Sequence, residues 1–124
     1  EEILLPDEMA QIKKELIRLS DSRQVDLIIT TGGTGLSPRD CTPEATLAVA
    51  DRNVPGIAEA IRAGSMTITK RAMLSRGVSV TRKKTLIINL PGSPKIIKEC
   101  LAYVLPEIVY ATETAAGEHD DVEE

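Results

Sequence analysis

Residues 30–44, TTGGTGLSPRDCTPE, gather the groups in this chain best suited to chemistry. Gly32, Gly33 and Gly35 let backbone N–H groups come close to an anion. Thr31, Thr34 and Ser37 add hydroxyls, and Arg39 and Asp40 add neighbouring opposite charges. Thr42-Pro43-Glu44 then signals a helix start: a hydroxyl N-cap, proline at the first helical position, and an acid. The N-terminus of that helix brings partial positive charge to the same end of the loop. A smaller version of this arrangement follows at Pro91-Gly92-Ser93-Pro94-Lys95. Together the two loops suit a ligand with anionic groups, and Arg39 and Lys95 are available to balance its charge. Taken singly, each glycine loop also fits a connection that binds nothing, and each cation fits a solvated surface.

Two apolar runs must hold these loops. Val25-Asp26-Leu27-Ile28-Ile29 reads as a buried strand before the first, and Thr85 to Leu90, TLIINL, as a strand before the second. Ligands of open α/β sheets bind at such strand ends. If the two strands lie parallel and close, their loops share one cleft. Val78 to Thr81 reads as a further strand. Arg82-Lys83-Lys84 is too short for a crossover, so this strand and TLIINL should form an antiparallel hairpin.

Helical spacing fills the intervals. A helix opens at Pro6-Asp7-Glu8 and runs to about Ser20, with Met9, Ile12, Leu16 and Leu19 on its apolar face; by itself Asp7 reads as its N-cap. The helix from Thr42 to about Asp51 should turn Leu47, Ala48 and Val49 inward. Another spans Pro55 to Met66 with Ile57, Ala60 and Ile61 on one face. Ala72 to Arg76 reads as a short helical turn. The helix from Ser93 has Ile97, Cys100, Leu101 and Val104 inside, and Pro106 should restart a final helix to about Ala116. Glu1 to Leu5 fits the end of a strand.

Composition limits the chemistry. The chain has 124 residues, 42% hydrophobic, with Phe and Trp absent and two tyrosines, so its core must be aliphatic. That leaves no aromatic platform for stacking bases, and a net charge of −4 argues against a general nucleic-acid binder. No apolar run approaches membrane-spanning length. The tail from Gly117 to Glu124 holds five of the acids and no lysine or arginine, leaving the rest about +1. It reads as a disordered, solvating segment. The two cysteines, Cys41 and Cys100, with no visible secretory signal, fit a reducing cytoplasm. Cys41 reads as a small buried side chain. The single histidine, His119, lies in the tail, so catalysis must rely on carboxylates, hydroxyls, amides and cations.

PDE at Pro6 to Glu8, TTGGTGLSPRD with TPEAT behind it, MLSR at Met73 to Arg76, and INLPGSPK with KEC behind it form a specific combination. It resembles the molybdopterin adenylyltransferases of molybdenum cofactor synthesis, the MogA type, and the matching G domains of gephyrin and its plant counterpart. The resemblance covers nearly the whole chain except the acidic tail. It implies one α/β domain over residues 1–116, a three-layer α/β/α sandwich with a mostly parallel sheet and one antiparallel hairpin, commonly a homotrimer. It also implies Mg²⁺-dependent transfer of AMP from ATP to molybdopterin, and delivery of the product to a molybdate-inserting, MoeA-like partner. The family's two functional acids fall on Asp7 and Asp40, implying roles in Mg²⁺ or nucleotide positioning. Ser75 matches the family's product-side serine, although it also fits an ordinary helix-to-strand hydroxyl. Glu44 fits either the cleft or a simple preference for a helix N-terminus.

The chain departs from the family pattern at its start, where the VSDR-like and DxSG-like segments are missing. It reads as a member without its first strand–helix unit. Three alternatives compete with the transferase. A MoaB-like molybdopterin carrier is separated from it by ATP consumption. A CinA-like relative is disfavoured by Thr34 and Arg39. A purely structural oligomer has no need of two anion-friendly loops with acids beside them.

Overall fold

The computed structural model describes residues 1–117; His119 and all of the tail expected to be disordered except Gly117 lie outside the described residues. The order is α1 (Met9–Ile17), β1 (Leu27–Thr31), α2 (Thr42–Val49), β2 (Arg52–Asn53), α3 (Pro55–Ser65), a 3₁₀ turn (Lys70–Leu74), β3 (Ser79–Arg82), β4 (Thr85–Leu90) and α4 (Pro94–Ala115). The strands form one sheet in the order β1-β4-β3-β2. β1 pairs parallel with β4, from Leu27 opposite Leu86 to Thr31 opposite Leu90. β3 and β4 form the expected antiparallel hairpin around Lys83-Lys84, and β2 adds antiparallel to β3. Thus β1, β4 and β2 run one way and β3 alone opposes them.

β4 is the axis of the core because all six of its residues are buried. Its side chains alternate between two faces. Leu86, Ile88 and Leu90 meet Ile61 of α3 and Ile96, Cys100, Val104 and Ile108 of α4. Ile87 faces the other way, with Val80 and Ile28, against Ile12 and Leu16 of α1 and Ala45 and Val49 of α2. Two helical layers on one sheet give the expected α/β/α sandwich. At the end of the sheet remote from the glycine loops, Arg82 grips Asp21 through two bonds of 3.0 and 2.9 Å and donates to the Val49 carbonyl at 2.8 Å. That pairing holds the Asp21 carboxyl below its ordinary range, the hydrogen bond being the larger cause.

Several boundaries differ from the sequence reading. Glu1 to Leu5 forms no strand and is exposed, Leu4 almost fully. Glu8, not Asp7, holds the N-cap position of α1, and its side chain accepts from Gln11 instead of capping a backbone N–H. The helix ends in a wide π turn over Arg18–Ser22. The first strand begins two residues later than expected, at Leu27, and Ile29 is exposed because β1 lies at the edge of the described sheet. In α2, Cys41 is the N-cap, and Ala45, Thr46 and Val49 point inward while Leu47 and Ala48 face out. The helix starts at Thr42 as expected, with Thr42 at the first helical position instead of the N-cap, and ends at Val49. Three consecutive residues cannot share one face at 3.6 residues per turn, and only Val49 continues the buried spacing of Thr42, Ala45 and Thr46. Pro106 does not break the last helix: α4 runs 22 residues through it. Pro106 and Ala102, whose carbonyl loses its partner, are both exposed, so water satisfies that group.

Candidate active site at paired strand ends

β1 and β4 end side by side, and the loops that follow them meet. The Gly32 N–H donates to the Leu90 carbonyl at 2.9 Å. A side chain on Gly92 would begin 3.7 Å from Gly32 Cα. Gly32 and Gly33 adopt φ of +85° and +71°, so the chain turns there through conformations that suit glycine. Gly33 packs against Thr42 so closely that a Cβ would overlap the threonine Oγ1, and Asp7 Oδ1 lies 3.8 Å from the same point. On the other limb, Asp40 Oδ2 accepts from the Ser37 N–H at 3.1 Å and lies 2.9 Å from where a Gly35 Cβ would sit. Asp7 and Asp40 therefore flank the loop at Gly33 and Gly35. Among the described residues, the N–H groups of Gly33, Thr34 and Gly35 donate to no other group.

Arg76 closes this loop. Its backbone N–H donates to the Thr34 carbonyl at 2.8 Å, Nε to the Gly35 carbonyl at 2.8 Å, and Nη2 to the Asp40 carbonyl at 3.0 Å. Nη1 pairs with the Glu44 carboxylate, and this hydrogen bond holds the Glu44 carboxyl below its ordinary range. Glu44 is thus turned toward Arg76 at the start of α2. Cys41, at the N-cap, is half-buried. Burial first, then the charges of Asp7, Glu44 and Asp40, push its thiol upward.

Beside the loop, between α3, the 3₁₀ turn and the end of β4, lies a cavity of about 220 Å³. Thr34, Gly35, Ser75 and Pro91 line one side, and Ala58, Ile61 and Ile96 form an apolar floor. Arg62 and Arg71 also reach it. Arg62 donates to the carbonyls of Ser75 and Gly77 at 3.1 and 3.3 Å, which fixes the Ser75 segment against α3. Ser75 Oγ accepts from the Gly77 N–H at 3.3 Å. Asn89 stands behind both loops: its Nδ2 donates to Thr30 and Thr46 at 2.9 and 3.0 Å, and its Oδ1 accepts from the Val78 N–H at 3.2 Å. One buried amide thereby ties β1, α2 and the segment leading into β3 to β4.

The structure thus brings Thr31, Gly32, Gly33, Thr34 and Gly35 together with Pro91 and Gly92, and sets Asp7, Asp40 and Ser75 beside them. Ser93 caps α4 by accepting from the Ile96 N–H at 3.5 Å. Ser37, Arg39 and Lys95 lie exposed on the rim, where neither cation forms an ion pair among the described residues. Sequence reasoning missed Arg62, Arg71 and Arg76. Arg62 carried a signal, because it continues the spacing Ala58, Ile61, Ser65 of the buried face of α3. Arg76 carried only its place after Ser75.

Glycine loops at the ends of two adjacent parallel strands, with free amides and flanking acids, define an α/β domain whose paired strand ends suit an anionic ligand. The family described as "Probable molybdopterin binding domain" matches residues 1–110, and this chain belongs to it. The molybdopterin adenylyltransferase of Helicobacter pylori strain J99 is 46% identical over 121 residues, covering 98% of this chain and 69% of its own length. That of Escherichia coli K12 is 54% identical over 98 residues, covering 79% of this chain and 50% of its own length. Among solved structures, the molybdopterin biosynthesis enzyme MoaB of Thermus thermophilus superposes with a TM-score of 0.83 at 52% identity, covering 90% of this chain and 70% of its own. The Mog protein of Mycobacterium ulcerans gives 0.80 at 42% identity, covering 86% and 69%.

Proposed function

We propose that this chain carries the adenylyl-transfer site of a molybdopterin adenylyltransferase. One observation carries the reading: three consecutive free amides, at Gly33, Thr34 and Gly35, lie in a loop flanked by Asp7 and Asp40, and Thr34 and Gly35 line the same cavity as Ser75. In the reaction, a phosphate oxygen of molybdopterin attacks the α-phosphorus of ATP. A new P–O bond forms, the bond to the bridging oxygen breaks, and pyrophosphate leaves. Such transfer depends on positioning and charge neutralisation rather than on a covalent catalyst. The amides bind phosphate oxygens, the apolar floor takes the ring system, and Arg62 and Arg71 add positive charge to the cavity.

The residues present fit Mg²⁺ brought in with a nucleotide. Among the described residues, no group of three or more His, Cys, Asp or Glu side chains forms a self-sufficient metal site. Asp7 and Asp40 supply the one or two carboxylates that Mg²⁺ takes alongside phosphate oxygens and waters. When bound, the ion offsets charge on the phosphates. A homotrimer, a cytoplasmic setting and a MoeA-like recipient of the product belong to the same reading. Among the described residues, no helix is long and apolar enough to cross a membrane.

A second reading, a MoaB-like molybdopterin carrier that transfers no AMP, fits the family's description as a probable molybdopterin binding domain. The test is pyrophosphate release with molybdopterin, ATP and Mg²⁺ for the wild type, Asp7→Asn and Asp40→Asn. The transferase reading expects turnover that collapses in both variants while molybdopterin binding persists. Tight molybdopterin binding without pyrophosphate from the wild type would sink it and leave the carrier.

A further inference from the structure

We infer that Arg76 is a positioning residue that holds the Asp40 limb of the glycine loop in its working geometry, with Glu44 as its counter-ion rather than as a ligand group. The inference rests on the proposed function for the reaction it serves, but its geometry stands apart from it. Arg76 bonds the loop at three carbonyls: Thr34 through its backbone, and Gly35 and Asp40 through two sides of one guanidinium. Those carbonyls come from both limbs, so the planar fork fixes the width of the turn between them. The fourth contact, to the Glu44 carboxylate, anchors the guanidinium to the first turn of α2. Within the loop, only the Asp40–Ser37 bonds and the Thr42 N–H to Gly33 bond, long at 3.3 Å, oppose its opening. Arg76 itself is held because Ser75 and Gly77, on either side of it, are bonded by Arg62. The chain from α3 through Arg62 and Arg76 therefore carries the rigidity of the sandwich to a loop that otherwise has little of its own.

Arg76 acts on the reaction through Asp40, and this separates it from a residue that only stabilises the fold. Arg76→Met keeps the length of the side chain and removes the fork. Amide hydrogen exchange at Asp40 and Thr42 should rise by about tenfold or more, with exchange in β4 and far-UV circular dichroism unchanged. In pyrophosphate release, kcat should fall about 100-fold, as for a reacting group displaced by an ångström, with KM for molybdopterin within about twofold. Arg76→Lys keeps the charge but cannot span the three acceptors, so it should resemble Arg76→Met. It also carries the test alone if the methionine variant does not fold. In the double variant with Asp40→Asn, the loss should equal that of Asp40→Asn by itself. Additive losses, full rescue by lysine, or unchanged exchange at Asp40 and Thr42 would overturn the inference. A wild type that releases no pyrophosphate would instead refute the transferase reading, and the exchange measurements would still decide whether Arg76 holds the loop.

Discussion

Replacing Gly33 with alanine should damage both stability and catalysis, whereas the same change at Gly32 should spare most of the stability. Both residues have positive φ, +85° at Gly32 and +71° at Gly33, so each substitution incurs left-handed backbone strain of about 1–2 kcal/mol. The surroundings differ. A Cβ on Gly32 meets nothing within 4 Å, whereas one on Gly33 overlaps Thr42 Oγ1 and nears Asp7. Thr42 is buried in the first turn of α2 and cannot swing clear. Overpacking of that kind adds about 1–3 kcal/mol. Gly33→Ala should therefore lose about 2–5 kcal/mol, and Gly32→Ala about 1–2 kcal/mol. Urea unfolding of the two variants beside the wild type, fitted with a common m-value, measures the difference. Turnover adds a second readout. Gly33→Ala pushes apart Thr42 and Asp7 and should lower kcat, while Gly32→Ala places a methyl in open space at the cleft mouth and should mainly raise KM. Equal stabilities for the two variants would refute the argument, because only the Thr42 contact separates them.

Asn89→Ala removes an amide that serves Thr30, Thr46 and the Val78 N–H, so the protein should lose about 1–3 kcal/mol in urea unfolding and more than a surface Asn→Ala control. Pro106→Ala restores a helix hydrogen bond at an exposed position of α4 and should raise the stability by about 1–3 kcal/mol; a lower melting temperature would mean that the proline relieves some other strain. The folded Asp21 carboxyl titrates below its ordinary 3.8, so the stabilisation from its pairing with Arg82 is complete above that value and disappears as pH falls through the lowered folded one. Urea midpoints of the wild type and Asp21→Asn should accordingly differ at pH 7 and converge under acid; a constant gap at all pH values would exclude Asp21 as the cause.

Most of the elements and their order were legible in the sequence, although the strand expected at Glu1 to Leu5 does not form, β2 was not foreseen and the last helix is one and not two. The run TLIINL, too apolar for a one-sided strand, becomes the central β4, and the two-lysine link before it forces a hairpin. Glycines at Gly32 and Gly33 were legible as a special turn because few other residues tolerate positive φ. Both loops were legible as a shared cleft once their strands were taken as parallel. Local signals reached less far where a long-range contact competes with them. Leu47 and Ala48 read as core from their apolar character, although the buried face set by Thr42, Ala45, Thr46 and Val49 leaves both outside. Pro106 read as a break, although a helix already docked through Val104 and Ile108 bridges an exposed proline. What holds the site emerges only from long-range packing. Glu44 and Arg76 stand 32 positions apart, and Arg76 and Gly35 stand 41 apart. No periodicity within a strand or helix encodes such a pairing, because it exists only after α2 and the β3 approach have packed on the same sheet. The sequence supplied the reactive loop; its geometry comes from charges and amides that folding brings to it.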